Sequence, residues 1–243
     1  MTEPTGRPAC AVVVGASGGV GQALLERLRR DARLALVLGL GRSGLPEPDI
    51  AVDITHEPSI EQAAAQVMQA ASARGAEVRL VIDATGFLHG DGFEPEKSWR
   101  QLDAAHMAHA FAVNAIGPAL LMKHFLPLLP RSGRAVFASL SAKVGSIGDN
   151  RLGGWYSYRA SKAALNQLVH TAAIELARRQ PQAICVALHP GTVATRLSGP
   201  FSKSGLEVQT PEQSAERLLA TIDGLSEADS GGFFNHRGEA LPW

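Results

Sequence analysis

The chain has little of several residue types, and each shortage excludes a class of protein. Its 243 residues include two cysteines, Cys10 and Cys185, both inside apolar runs, which argues against a disulfide-stabilised fold and favours a reducing, cytoplasmic compartment. Neither charge sign is in excess, with 23 basic and 23 acidic residues, so no nucleic acid and no anionic membrane surface is expected as a partner. No apolar run reaches the roughly 18 residues that cross a membrane, and no basic-apolar leader opens the chain.

What the chain has instead is a series of short apolar runs that alternate with amphipathic stretches. Hydrophobic residues make up 45% of the chain, enough to bury the core of one α/β domain over 1–243, with 1–8 as a flexible terminus. The apolar runs predict strands at 9–14, 34–40, 50–52, 78–82, 135–140, 183–188 and 233–234. The amphipathic stretches predict helices at 22–32, 58–72, 99–129, 155–179 and 211–225, with a break near Gly117-Pro118.

A glycine-rich turn follows the first predicted strand and opens the first predicted helix. Its sequence is Gly15-Ala16-Ser17-Gly18-Gly19-Val20-Gly21, which contains the pattern G-x-x-x-G-x-G. Glycines permit a tight turn, let backbone N–H groups approach a pyrophosphate, and aim a helix N-terminus at its charge. The turn predicts a dinucleotide site, and an ordinary glycine-rich turn is the alternative. The predicted contacts are Gly15, Ser17, Gly18, Gly19, Val20 and Gly21.

The end of the second predicted strand bears on which dinucleotide fits. It carries Gly41-Arg42-Ser43 and no carboxylate that would accept hydrogen bonds from the two ribose hydroxyls of NAD. Arg42 suits a 2′-phosphate, which it can hold with charge-assisted hydrogen bonds. NADP(H) is therefore the expected cofactor, and a solvated surface arginine is the alternative.

Tyr158 and Lys162 lie four residues apart in the fourth predicted helix, so they share one face of it. A phenol has a pKa near ~10 and is a sluggish acid or base at neutral pH, whereas a cation beside it favours the phenolate and lowers that pKa. The spacing predicts proton chemistry in which Lys162 tunes Tyr158. The alternative is a tyrosine and a lysine that only share a helix face.

The segment Tyr158-x-x-x-Lys162 resembles the active-site motif of the short-chain dehydrogenase/reductase family. The resemblance covers nearly the whole chain, because further family motifs recur in order. They are the glycine turn, Asp53, Asn114, Ser141 and Pro190-Gly191. Two more stretches, G-S-I-G-D-N at 145–150 and G-G-F-F at 231–234 with a terminal Pro242-Trp243, look like the C-factor (C-signal) branch, which is close to the sniffer-type carbonyl reductases. The family implies a single-domain Rossmann fold with a doubly wound parallel sheet of about seven strands in the order 3-2-1-4-5-6-7.

The resemblance also implies how the cofactor is held. Asp53, followed by Ile54, would accept a hydrogen bond from the adenine amino group, and a turn aspartate is the alternative. Backbone groups after the fourth strand would line the cofactor, at Ala84, Thr85 and Gly86, where the family usually has N-N-A-G. Residues after the sixth strand would meet the nicotinamide carboxamide and the phosphates, namely Pro190, Gly191, Val193 and Thr195.

For catalysis, the resemblance implies a carbonyl–alcohol interconversion in which Tyr158 gives or takes the proton. Lys162 would also contact the nicotinamide ribose. Asn114 would steady a proton-relay water, with satisfaction of the helix backbone as its alternative role.

A serine after the fifth strand would hold the substrate carbonyl. Relatives place it three residues before the glycine that matches Gly145, and that position is Ala142 here. The expected residue is Ser141, one position earlier, with Ser139 in reserve because period two puts both serines on one face.

The substrate is expected to be a small carbonyl or alcohol, bound between the loop 145–154 and a substrate loop at 196–210.

His106, His109 and His124 are not spaced like metal ligands, so they are interpreted as surface or interface residues and no metal is expected. The family implies pairing through its long helices into a homodimer or homotetramer. Two other functions stay open: a non-catalytic NADP(H)-binding signalling protein, and another chemistry on this scaffold, such as epimerisation.

Overall fold

A parallel sheet of seven strands forms the centre of the protein in a computed structural model that describes residues 7–42, 50–90, 92–197 and 207–243. The strands of the chain are β1 (Ala9–Val14), β2 (Leu34–Gly41), β3 (Ile50–Ala51), β4 (Glu77–Asp83), β5 (Ala135–Leu140), β6 (Ala183–His189), β7 (Thr192–Val193), β8 (Val208–Gln209) and β9 (Phe233–Asn235). The sheet has the order β3-β2-β1-β4-β5-β6-β9, while β7 and β8 pair separately. The predicted order is confirmed, with β9 as the seventh strand of the sheet.

Helices cover both faces of this sheet. They are α1 (Gly19–Arg29), α2 (Glu57–Ala73), α3 (Ala104–Phe111), α4 (Gly117–Phe125), α5 (Tyr156–Ala177) and α6 (Pro211–Gly224). Successive residues of a strand point to opposite faces, so Val12 and Phe137 pack with α2, α4 and α5, whereas Val13 and Ala138 pack with α1 and α6. The result is a three-layer α/β/α architecture with the doubly wound topology that the sequence predicts.

The helical stretch between β4 and β5 is irregular at Asn114. A π-helical turn, Ala112–Ile116, joins α3 to α4, so the irregularity begins earlier than the predicted break at Gly117-Pro118. Proline has no N–H to donate to the carbonyl four residues before it, so Pro118 removes the usual helical partner of the Asn114 carbonyl. The helix itself continues, because Pro118 lies in the first turn of α4.

The same stretch is long and apolar enough to cross a membrane, by length and composition alone. It spans Ala104–Leu128 with a mean hydropathy of 1.3. The core helices of globular proteins pass the same test, and Leu121 and Phe125 of this stretch are fully buried in the core cluster that includes the sheet residue Phe137.

The carboxyl ends of the central strands meet at one edge of the sheet. The strand order reverses between β1 and β4, and open α/β sheets bind ligands in the crevice at such a point. The start of α5 lies at the same edge, because Tyr158 packs against Ala142, two residues after β5 ends.

Candidate active site

The glycine turn after β1 forms a close-fitting cradle. Gly15 has a φ of +78°, and its N–H and that of Ala16 donate to Leu40 O at 2.9 and 3.0 Å. Gly21 approaches the turn so closely that an added Cβ would lie 2.2 Å from Gly15 O. Helix α1 begins at Gly19 with no side-chain cap and no acidic residue in its first turn. The N–H groups of that turn therefore suit an anion such as a pyrophosphate, and the cradle fits a dinucleotide.

Two other predicted cofactor segments contact this turn. A Cβ added to Gly15 would lie 3.0 Å from Ala84 O and 3.1 Å from the Thr85 methyl group. A Cβ added to Gly19 would lie 2.8 Å from the methyl group of Thr195. The structure thus brings Ala84 and Thr85, which follow β4, and Thr195, which follows β7, to the glycine turn.

Arg42 and Asp53 lie near each other beyond the edge of the sheet. Asp53 Oδ1 accepts from the N–H and hydroxyl of Thr55 at 2.9 and 2.6 Å, so the carboxylate closes a turn. These bonds, with a smaller contribution from the charge of Arg42, hold the pKa of Asp53 below its ordinary value. Arg42 is exposed and Ile54 is buried, while Ser43 falls outside the described residues.

The segment after β6 is fixed from behind by β8 and α6. Pro190 O accepts from Ser214 Oγ at 2.9 Å and from Gln209 Nε2 at 3.4 Å. Gly191 has a φ of +82°, and a Cβ there would lie 2.2 Å from Gln209 Nε2. Val193 is buried in the pairing of β7 with β8. Of the predicted substrate loop, 198–206 lie outside the described residues.

Tyr158 is buried at the start of α5, 9% exposed, against Leu88 and Ala142 with Leu197 beside them. Burial in this apolar surrounding raises the pKa of Tyr158 above its ordinary value. Burial therefore acts against the lowering of this pKa that Lys162 is expected to give. A raised pKa keeps the phenol protonated, which is the form that donates a proton.

Lys162 is 2% exposed, and its ammonium donates to Leu140 O at 2.7 Å. Burial lowers the pKa of Lys162 to about 8, and the carboxylate of Asp83 opposes that shift. A Cβ added to Gly86 would lie 3.8 Å from both Lys162 Nζ and Asn114 Oδ1. Lys162, Gly86 and Asn114 thus lie at one place.

The side chain of Asn114 has a structural role. Its Oδ1 accepts from Phe87 N at 2.7 Å, and its Nδ2 donates to Phe87 O at 2.8 Å and Ser161 Oγ at 3.0 Å. The amide ties the segment after β4 to α5. Pro118, four residues on, has no N–H to donate to the main-chain carbonyl of Asn114.

The hydroxyl groups of Ser141 and Ser139 both have hydrogen-bond partners within the protein. Its hydroxyl donates to Asn166 Oδ1 at 2.6 Å, and that of Ser139 donates to Asp83 Oδ2 at 2.6 Å. Both serines are buried, whereas Ala142 belongs to the apolar cluster that contains Tyr158. Relatives place the serine three residues before the glycine that matches Gly145, and Ala142 occupies that position. This count is the sequence signal for Ala142, although Ser141 is the expected residue.

The loop between β5 and α5 is held to the start of α5. Arg159 donates to the carbonyls at both ends of the loop, Val144 O at 3.0 Å and Gly154 O at 2.9 Å. The ring of Trp155 lies 6.2 Å from that of Tyr158 in an edge-on arrangement. The loop and Trp155 thus lie beside the start of α5.

Two buried carboxylates beside the site escaped the sequence analysis. Asp83 accepts from Thr85 N at 3.0 Å, from Thr85 Oγ1 at 2.5 Å and from Ser139. Glu96 is 2% exposed and contacts the first turn of α5. The described residues contain no group of three side chains that would hold a metal ion.

Comparison with known proteins gives the family of the chain. A family model described as enoyl-(acyl carrier protein) reductase matches residues 28–227. The C-signal protein of Myxococcus xanthus is 37% identical over 142 residues, which are 58% of this chain and 81% of that protein. The 1-hydroxy-2-glutathionyl-2-methyl-3-butene dehydrogenase of Rhodococcus sp. (strain AD45) is 32% identical over 235 residues, 96% of this chain and 98% of that protein.

A solved structure agrees over the full length. The NADPH-bound carbonyl reductase from chicken fatty liver matches with a TM-score of 0.84 and 27% identity, covering 98% of this chain and 100% of that one. The chain belongs to the short-chain dehydrogenase/reductase family of oxidoreductases.

Proposed function

We propose that this protein is an NADP(H)-dependent oxidoreductase that interconverts a carbonyl and an alcohol, with Tyr158 as proton donor or acceptor. One observation carries the proposal: Tyr158 and Lys162 lie at the edge of the sheet where the glycine turn and Gly86 also lie. The carbonyl reductase from chicken fatty liver, whose structure contains NADPH, supports the choice of reaction and cofactor. The substrate is proposed to be a small carbonyl compound, and the chain is proposed to act in the cytoplasm.

The cofactor, when bound, supplies the hydride. The glycine turn and the first turn of α1 suit its pyrophosphate, and Arg42 suits a 2′-phosphate because no carboxylate stands at the end of β2. Ala84, Thr85 and Thr195 border the same cradle. The chain therefore provides an anion site, a phosphate-pairing arginine and a wall along one crevice.

In the reducing direction the residues of the chain orient the carbonyl and deliver its proton. Tyr158 is the donor, and its burial keeps the phenol neutral until transfer. The ammonium of Lys162 stabilises the phenolate that the transfer leaves behind. The Asn114 carbonyl, to which Pro118 has no N–H to donate, is the proposed acceptor for a water that returns the proton through Lys162.

The proposal is tested first by binding and then by turnover. Fluorescence titration is expected to give tighter binding for NADPH than for NADH. A panel of aldehydes, ketones and quinones is then expected to oxidise NADPH in the presence of the protein. A protein that binds NADPH and turns over none of the panel contradicts the proposed reaction and leaves the cofactor assignment intact.

Replacing Arg42 by alanine is expected to raise the Kd for NADPH by about tenfold, because one charge-assisted hydrogen-bonding partner of the 2′-phosphate is lost. The Kd for NADH, which has no such phosphate, should change by less than about twofold. Parallel fluorescence titrations measure both constants. The exposed Arg74, at the C-terminal end of α2, serves as the control for loss of one surface charge. Equal weakening of NADPH and NADH binding in the Arg42→Ala variant would contradict the role of Arg42.

Replacing Asp83 by asparagine is expected to move the basic limb of the kcat–pH profile to lower pH by about one unit. Lys162 has a pKa of about 8, and Asp83 holds it up against burial. Turnover that needs the ammonium persists below this pKa and is lost above it, so removing the carboxylate moves the loss downward. Ser139→Ala removes a hydrogen bond to Asp83 but keeps the Asp83 charge, so the basic limb of the kcat–pH profile of this variant should not move. An unmoved limb in Asp83→Asn contradicts the electrostatic role of Asp83.

A second function, NADP(H) binding without turnover in a signalling role, is favoured by one observation. The position beside Tyr158 that would orient a carbonyl is Ala142, which has no hydroxyl. The likeness to the C-signal protein of Myxococcus xanthus points the same way. Tight NADPH binding without turnover on the carbonyl panel would support this function over the first.

A further inference from the structure

The helix that carries Tyr158 and Lys162 begins without a cap of its own. Trp155, the residue before α5, has φ 54° and ψ 44°. Among the described residues other than glycine, it alone has a positive φ. Its side chain caps none of the N–H groups of the first turn. Helices usually begin at Ser, Thr, Asp or Asn, whose side chains accept from those groups. Some other part of the chain must therefore satisfy the start of α5.

Glu96, from the segment between β4 and α3, supplies the missing acceptors. Its main-chain oxygen accepts from Trp155 N at 2.5 Å. Its carboxylate accepts from Ser157 N at 3.2 and 3.3 Å, and also from the Ser157 hydroxyl. A carboxylate at a helix N-terminus also interacts favourably with the helix dipole. A residue sixty positions away in the chain thus sets where the first turn of α5 lies.

A third contact holds the carboxylate from the other side. His106 Nδ1 of α3 lies 3.4 Å from Glu96 Oε1, and the His106 ring stacks on Phe93 with centroids 4.9 Å apart. Asp103 accepts from His106 N at 2.8 Å and caps α3. The prediction that His106 is a surface or interface residue is wrong, because it is 5% exposed within the single chain. The Glu96 carboxylate therefore lies between α3 and α5 and contacts both helices.

Burial of this carboxylate needs a reason. A buried charge is costly unless it is paired, and an apolar residue of similar shape is commonly as stable or more so. The hydrogen bonds of Glu96 end on Ser157, the residue directly before Tyr158. The Tyr158 ring in turn fits between Leu88 and Ala142. Small shifts of the first turn would move the phenol relative to a bound carbonyl.

We propose that Glu96 is a positioning residue that holds the start of α5, and through Ser157 fixes the place of the Tyr158 phenol in its pocket. The claim that Glu96 affects catalysis rests on the proposed function. The claim that Glu96 fixes the position of the Tyr158 ring does not rest on it. Two readouts therefore test it, one with turnover and one without.

The turnover readout compares Glu96→Ala with Arg79→Ala. Arg79 is a buried charged residue of β4, 4% exposed and bonded to Arg134 O and Glu77, so its loss destabilises the fold at a different place. Both variants are expected to unfold at lower temperature. Only Glu96→Ala is expected to lower kcat, by roughly 10- to 100-fold, because misplacement of a reacting group by about 1 Å has such an effect. Its Kd for NADPH should stay within about twofold of the wild-type value, since the glycine turn is far along the chain.

The second readout needs no turnover. The chain has two tyrosines, so in a Tyr156→Phe background the ultraviolet absorbance of tyrosinate reports Tyr158 alone. The buried phenol should give no tyrosinate signal up to about pH 11. Adding Glu96→Ala should release the phenol from its pocket, so that tyrosinate appears near the ordinary pKa of about 10. Adding Arg79→Ala should leave the titration unchanged.

Where Glu96→Ala does not fold, Glu96→Gln decides, because glutamine keeps one acceptor oxygen and nearly the same shape; a kcat lower by roughly threefold or more supports the proposal. An unshifted tyrosine titration together with an unchanged kcat in a folded Glu96 variant overturns it. A wild-type protein without turnover refutes the proposed function only, and the tyrosine titration then still decides the role of Glu96.

Discussion

Replacing Tyr158 by phenylalanine is expected to lower kcat by at least about a thousandfold, because a positioned general acid contributes on the order of 10²–10⁴-fold and no carbonyl is reduced without its proton. The phenylalanine ring fills the same place against Leu88 and Ala142, so the fold should be kept. Steady-state loss of NADPH absorbance measures the turnover, and fluorescence titration measures the binding. The Kd for NADPH should change by less than about twofold, since the anion cradle lies on the glycine turn.

The chain offers a matched control for this substitution. Its other tyrosine, Tyr156, begins the same helix and is partly exposed. Tyr156→Phe removes an identical hydroxyl two residues away, and its kcat should remain within a few-fold of the wild-type value. Wild-type turnover in Tyr158→Phe would end the assignment of Tyr158 as proton donor. Loss of NADPH binding in that variant would instead place the hydroxyl in the cofactor site.

Much of the fold could be predicted from local pattern. A continuous apolar run predicts each strand of the seven-stranded sheet, because the side chains on both faces of such a strand are buried. The two-residue strands β7 and β8 have no such run, so they were not predicted. The irregular turn before α4 begins earlier than the predicted break. Proline marks the position of the missing N–H donor, whereas the carbonyl that loses its partner lies four residues earlier.

The candidate site was predictable where its function depends on backbone geometry or on helical spacing. The glycine turn and the pair Tyr158 and Lys162 are of this kind. Asp83 and Glu96 are not, because their hydrogen-bond partners come from other segments of the chain and only folding brings them together. The burial of Tyr158, which raises its pKa, could not be predicted for a related reason. Burial is a property of the whole fold, whereas the four-residue spacing reports only the neighbouring lysine.

Replacing Ala142 by serine is expected to raise kcat/KM for a carbonyl substrate, by roughly 10- to 100-fold. The side chain of Ala142 packs against Tyr158, so a hydroxyl there can donate to the carbonyl oxygen that receives the proton. Loss of one such donor in other enzymes slows catalysis by about 10²–10³-fold, which bounds the gain. Ser141→Ala is the control. Its hydroxyl is already bound to Asn166, so its removal should lower stability by about 1 kcal/mol and leave kcat/KM within a few-fold of the wild-type value.

The Ala142→Ser variant also separates the two functions. A wild-type protein that reduces carbonyls weakly and gains strongly from the serine has the cofactor, the proton donor and the crevice in working order, and lacks only one hydroxyl. A gain confined to kcat would mean that the hydroxyl acts in the transition state, whereas a fall in KM alone would mean that it binds the ground state. A large loss in Ser141→Ala with no gain in Ala142→Ser would return the substrate contact to Ser141, and would require its bond to Asn166 to break when substrate binds.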